Sequence, residues 1–285
     1  MKKSIAVAFL GMKVGVILLA CLVCLQEARA GFERRDQGAR PIGMGGAFVA
    51  LADNVWAITF NPAGLSRLRG DEISAFYSPQ PFGLTELSLA SFAYVHPTSR
   101  GSFGLLVNRF GFDLYREVSG IFSYANSYQD VFSFGFNMTY NSLAIKNYGS
   151  ASVVGIDVGL LATVTRGLRW GFFAADINAP SIGQGSEKLP QVYSSGLSYS
   201  PVEGLLLGMD VVKDVRYPTL IRGGIEYQVV DAVSLRAGFG SNPTKFSSGV
   251  GIHYSLVHFD YAMTTHPDLG LSHQFSVTVD LKGLD

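Results

Sequence analysis

The chain has 285 residues, with 22 basic side chains balanced by 22 acidic ones. Only 15% of its residues are charged while 48% are hydrophobic, against roughly 25% charged in soluble domains. That balance offers no basic footprint for nucleic acid, and beyond the N-terminal leader no apolar run reaches the ~18 residues of a spanning helix.

Residues 1–30 read as an export leader. Lys2, Lys3 and Lys13 accompany the apolar run Val14 to Leu25, and Ala28-Arg29-Ala30 supplies a small-x-small cleavage site. Cleavage there starts the mature chain near Gly31 and removes Cys21 and Cys24, leaving no disulfide framework. Leu18-Leu19-Ala20-Cys21 offers the alternative of a lipoprotein signal that lipidates Cys21. An exported, apolar chain without spanning helices points to a transmembrane antiparallel β-barrel, because only helices and closed barrels satisfy every backbone polar group in lipid.

Residues 31–70 form a separate segment ahead of the strands. Within it, RPIGMGGAFVALADNVWAITFNPAGL (40–65) carries Gly43, Gly45 and Gly46 for tight turns and close backbone approach, then an apolar stretch. The pattern predicts a short helix over 47–58, ended by Asn61-Pro62, with Gly64 completing a turn. Asp53 and Asn54 interrupt the run, so it is not a membrane span.

The stretch GARPIGMGGAFVALADNVWAITFNPAGLS (38–66) resembles the N-terminal segment of outer-membrane barrels related to the FadL channel, and most the PorV and PorQ branch. RAGFGSNPTKFSSGVGIHY followed by FDYAMTTHPDLGLSHQFSVTV (236–279) resembles the same branch. The resemblance implies a barrel of about fourteen strands in the outer membrane of a Gram-negative-type bacterium, with the N-terminal piece folded into its mouth as a hatch. It implies hatch positions at Gly45, Gly46, Asp53, Asn61, Pro62 and Gly64, with Phe48 and Trp56 packing against the inner wall. Two functions follow from it: passive transport or binding of hydrophobic small molecules, or docking and shuttling of exported proteins in type IX secretion. Outer-membrane lipids are the expected surroundings, with secretion-system proteins as partners in the second case.

From residue 71 to 285 the sequence alternates. Phe132, Phe134, Phe136, Met138 and Tyr140 face one way, and Ser133, Gly135, Asn137 and Thr139 the other, which is the period of a strand. Residues 246–254, 257–264 and 275–281 repeat it. Fourteen candidate strands run from about 71–78 to 270–281, among them 84–96, 168–178 and 189–200. Their connections alternate between tight and longer, the asymmetry of an outer-membrane barrel with short periplasmic turns. The longest, near 178–191, reads as a loop over the mouth.

On the face with smaller side chains, charge recurs at Asp157, Asp210, Arg236 and Asp260, with His253 and His258 beside them. Arg222 and Glu226 share a face of their own strand. In a closed barrel these eight residues are lumen candidates, either guiding a substrate or forming a polar core that supports the hatch. Enzyme chemistry is not expected, because His258 and Asp260 have no accompanying nucleophile motif. No cofactor fingerprint occurs. His266, Asp268 and His273 surround Pro267-Asp268-Leu269-Gly270, which reads as a turn rather than a metal site.

Overall fold

The computed structural model describes residues 32–281 except 82, 83, 85, 184–187, 268 and 269. The leader with its two cysteines, and Asp268 and Leu269 of the last turn, lie outside the described residues. Fourteen strands follow the N-terminal segment: β1 Glu72–Pro79, β2 Ser88–Thr98, β3 Gly101–Gly111, β4 Tyr115–Tyr128, β5 Phe132–Ile145, β6 Gly149–Thr165, β7 Leu168–Ala175, β8 Val192–Tyr199, β9 Leu205–Asp214, β10 Leu220–Val230, β11 Val233–Ser241, β12 Thr244–Tyr254, β13 Val257–His266 and β14 Gly270–Asp280. Each pairs antiparallel with its neighbours in sequence, and β1 pairs with β14, from Glu72 opposite Asp280 to Tyr77 opposite Phe275, so the sheet closes. Closure removes the sheet edges that lipid would not tolerate.

Period two sorts the side chains. Leu105, Phe122, Phe134, Phe136, Met138 and Phe259 are exposed on the outer surface, where hydrocarbon is their solvent. Asn137, Asp157, Asp210, Glu226 and Arg236 are buried. The connections β2–β3, β6–β7 and β12–β13 are tight, while β1–β2 and β7–β8 are the longest. The longer connections mark the outer end of the barrel.

Three predicted edges moved by several residues. β2 starts at Ser88, and β7 and β8 stop at Ala175 and start at Val192. Past Ala175 the chain turns with positive φ at Asp176 (52°) and Ala179 (45°). Asn178 then stands in for a strand: its amide donates to Val154 O at 2.9 Å and accepts from Ile156 N at 3.0 Å, so the exposed edge of β6 is met by a side chain.

A fourteen-stranded barrel is too wide for side chains alone to fill. Residues 32–70 occupy the interior. They comprise an extended run 32–37, helix α1 Ala39–Gly43, a Gly45-Gly46 turn, irregular chain to Trp56, helix α2 Ala57–Phe60 and a 3-10 helix Pro62–Arg67. The 3-10 helix packs on β4, β5 and β6, and α1 on β11 to β14. The helix expected over 47–58 does not form, and only 57–60 is helical. Gly45 and Gly46 turn the chain at φ 67° and 74°, and wall side chains bind the backbone groups a helix would have satisfied internally.

Candidate functional site

The segment's backbone is held by acids, amides and hydroxyls from distant strands. Asp210 of β9 accepts from Phe48 N at 2.8 Å and Val49 N at 2.9 Å. Glu72 of β1 accepts from Val55 N at 2.8 Å. Asn137 of β5 donates to Ile58 O at 2.9 Å and to Asp157 of β6 at 3.0 Å. Ser198 donates to Ala50 O at 3.1 Å, and Ser276 accepts from Ala39 N at 2.8 Å. Within the segment, Asn61 donates to Val49 O and to Leu160 O of the wall, while its Oδ1 accepts from Ala63 N. Irregular backbone at membrane depth is tolerated where protein satisfies it.

Close approach does the rest. A Cβ on Gly135, Gly171 or Gly208 of the wall would lie 2.5–2.6 Å from the segment's backbone, at Ala63 N, Val49 O and Ala47 O respectively. At Gly45 a Cβ would lie 2.7 Å from Phe239 N, and at Gly64 it would overlap the carbonyl oxygen of Ala52. Pro62 is buried at the start of the 3-10 helix. Phe48 and Trp56 are buried, in edge contact with Phe60 at 5.5 Å and with Phe76 of β1 at 5.8 Å between ring centroids.

A row of charges ties segment to wall. Arg40 of α1 donates from Nε to Glu226 Oε2 at 2.8 Å and from Nη1 to Asp53 Oδ1 at 2.6 Å. Arg236, fully buried, joins the same Glu226 oxygen at 2.5 Å and Asp260 Oδ1 at 2.7 Å. Three carboxylates therefore share two guanidiniums, and Arg236 Nη2 has no hydrogen-bond partner among the described residues. Burial opposes the charge on Arg40, but Asp53 and Glu226 outweigh it and hold its pKa well above the usual arginine value.

The extended run 32–37 lies at the outer end. Arg35 pairs with Glu117 at 2.5 Å, Asp36 with Arg222 at 3.1 Å and Arg34 with Asp157 at 3.8 Å. Arg34 also donates to Thr59 O and lies over the Phe173 ring at 4.4 Å. Arg34, Arg35, Asp36 and Arg40 are absent from the residues singled out by alternation, which applies only to strands. Their signal is four charges within seven positions of a chain otherwise poor in charge.

Cavities lie on both sides of the segment. An outer one of about 700 Å³ has Val49, Phe60, Phe173, Val192 and Val212 in its apolar lining, with Arg216, Tyr217 and His266 among its polar groups. A second outer cavity of about 430 Å³ shares Glu33 to Asp36 with the first and is lined by Ser247, Thr264 and Gln274. An inner cavity of about 420 Å³ is lined by Asp53, Glu72, Glu226, His253, His258 and Asp260. The rings of His253 and His258 meet edge to face across β12–β13, at 4.3 Å between centroids. His273 lies apart from His266, its Nδ1 2.8 Å from Tyr261 Oη, and among the described residues no group of His, Asp, Glu or Cys is arranged to hold a metal ion.

These features define an outer-membrane β-barrel with its N-terminal segment packed inside. No protein-family model and no curated protein matches the sequence. Among solved structures, the chain is similar to the toluene transporter TbuX of Ralstonia pickettii, with 14% identity and a TM-score of 0.67 over 88% of this chain and 100% of that one. It is also similar to a FadL homologue of Pseudomonas aeruginosa (13% identity, TM-score 0.64, 88% and 100% of the two chains). The toluene transporter TodX of Pseudomonas putida is a further match (13%, 0.62, 85% and 96%). At these identities the likeness is one of fold.

Proposed function

We propose that this barrel is a passive channel for hydrophobic small molecules, with residues 31–70 as its hatch. The observation that carries the reading is the outer cavity of about 700 Å³, whose apolar floor combines wall residues Phe173, Val192 and Val212 with segment residues Val49 and Phe60. That volume is typical of a small-molecule site. Arginines of the lining already have partners, Arg34 at Asp157, Arg35 at Glu117, Arg216 at Asp214 and Arg222 at Asp36, which favours an uncharged ligand. The toluene transporters among the structural relatives agree with that class. Asp157, Asp210, Glu226 and Arg236 then serve chiefly to hold the hatch, while His253 and His258 line the inner exit.

The likeness to the PorV and PorQ branch, and with it a docking role toward exported proteins, rests on the GMGGA and NPAGL motifs and on residues 236–279. The cavity favours the small-molecule reading. The test is uptake of an apolar fluorophore by cells that carry the protein in a lipopolysaccharide outer membrane. Expression should raise uptake several-fold, and Val49→Trp, which fills the floor, should abolish the gain while the barrel still assembles. Uptake indifferent to both would refute the channel.

A further inference from the structure

The outer surface of β3, β4 and β5 changes character at one level. Below it, Leu105, Val107, Phe122, Met138 and Tyr140 are exposed apolar side chains. Above it, the same outward-facing rows continue as Arg109 on β3, Arg116 on β4 and, just past the end of β5, Lys146, all exposed. Their inward neighbours fix the direction: Asn108 and Glu117 line an interior cavity.

Register brings the three cations together. Arg109 pairs with Val118 and Arg116 with Gly111, so the two arginines are diagonal neighbours on adjacent strands, a spacing of about 7–8 Å that long side chains bridge. Arg116 also pairs with Ala144, two positions before Lys146, and Lys146 N donates to Leu114 O at 3.0 Å, fixing it beside the β3–β4 turn. Between Tyr140 and Lys146 on the same outward row of β5 stand the small Ser142 and Ala144. None of the three cations has an ion pair with a described residue. Among the described residues, the acids in the β1–β2 and β3–β4 connections are Glu86 and Asp113, both exposed, while Glu117 faces inward to Arg35.

We propose that Arg109, Arg116 and Lys146 form a binding surface for the phosphate of a lipid headgroup in the outer leaflet. The apolar band beneath them fits the lipid's acyl chains and sets the height at which its phosphate meets the protein. Guanidinium forks match phosphate oxygens bidentately, and an ammonium adds a point charge. A second barrel or a soluble protein would not need cations placed directly above the hydrocarbon-facing surface of the same strands. The site is independent of what crosses the lumen.

Native mass spectrometry of the full barrel in mild detergent tests this by titration with phosphatidic acid, phosphatidylcholine of the same chains, and inorganic phosphate. At about 1 kcal/mol per basic residue near an anionic surface, or about fivefold each, the triple variant R109Q, R116Q, K146Q should bind phosphatidic acid roughly 100-fold more weakly. Phosphatidylcholine binding should be unchanged. Lys213→Gln, at the outer end of β9 away from β3 to β5 and with its ammonium on Tyr217 O, should behave as wild type. Heat-modifiable gel migration checks that each variant is folded. Equal phosphatidic acid affinity in the triple variant, full competition by inorganic phosphate at matched concentration, or a co-purifying protein released by the triple substitution in place of lipid would overturn the proposal.

Discussion

Arg40→Gln is the most direct test of how the segment is held. The substitution keeps most of the side chain's bulk but removes the cation between Asp53 and Glu226. Glu226 is then left with Arg236, which Asp260 already shares. Breaking a buried pair from one side costs about 3–5 kcal/mol, because the other charge stays behind without its partner. Asp53 is 28% exposed and Arg40 16%, so water relieves the Asp53 half and the lower figure, about 3 kcal/mol, is expected. That is a change of about 100-fold between docked and released segment. The readout is hydrogen exchange of amides 42–60 in lipid nanodiscs, where protection should fall by about that factor. Arg40→Gln with Glu226→Gln removes the orphaned carboxylate and leaves Arg236 and Asp260 as a balanced pair, so protection should partly return. A single variant as protected as wild type, or a double variant no better than the single, would refute the account. Because its two acids hold Arg40 protonated well beyond the usual range, alkali should not reproduce the effect.

Gly208→Val should overpack the interface, since even a Cβ there would lie 2.6 Å from Ala47 O. A cost of about 1–3 kcal/mol should lower the temperature of heat-modifiable unfolding, whereas Gly120→Ala, with nothing within 4 Å of the added carbon, should leave it unchanged. Asp176, at the outer end of β7, has its pKa raised to about 7 by burial and then by Asp157, against the pull of Arg34. The folded chain therefore binds this proton more tightly than an unfolded one, and the site is most stable at low pH, losing stability as pH rises from about 4 through about 7. Proteolysis within the β7–β8 connection should accelerate across that interval in wild type but not in Asp176→Asn, and a flat wild-type profile would contradict the assignment.

The barrel was legible because period two needs only local sequence. Phe132 to Tyr140 against Ser133 to Thr139 sets strand and face for β5, and residues 246–254, 257–264 and 275–281 repeat it. The segment's path was not legible. Its backbone partners include Asp210, Ser198, Asn137 and Ser276, between 79 and 237 positions away in sequence, so local propensity favoured a helix that tertiary hydrogen bonding displaced. Alternation assigns a side chain to a face but names no partner: it put Glu226 and Arg236 in one set without revealing that Arg40 completes them. The glycines Gly135, Gly171 and Gly208 look in sequence like ordinary small-face residues, and their role as landing places for a second backbone needs the structure.

The same contacts limit how the proposed hatch opens. Met44, Phe48, Leu51, Trp56, Ile58 and Leu65 are almost wholly buried. At about 1.5–3 kcal/mol per side chain, expelling the whole segment would forfeit on the order of 10 kcal/mol, before counting its hydrogen bonds to the wall. A state so rare, about one molecule in 10⁷, cannot carry steady flux. Residues 32–37 are different: they are extended, contribute one buried apolar side chain, Phe32, and are tied by ion pairs whose arginines are partly exposed at Arg34, Arg35 and Arg222, so water relieves part of the cost of releasing them. Their release joins the two outer cavities, which are separated by Glu33 to Asp36, and leaves residues 44–65 in place. A ligand in the larger cavity lies beside Glu33 to Asp36, which line it together with Val49 and Phe60. It therefore contacts the element whose movement admits it further, and its preference for the displaced arrangement supplies the free energy for the step.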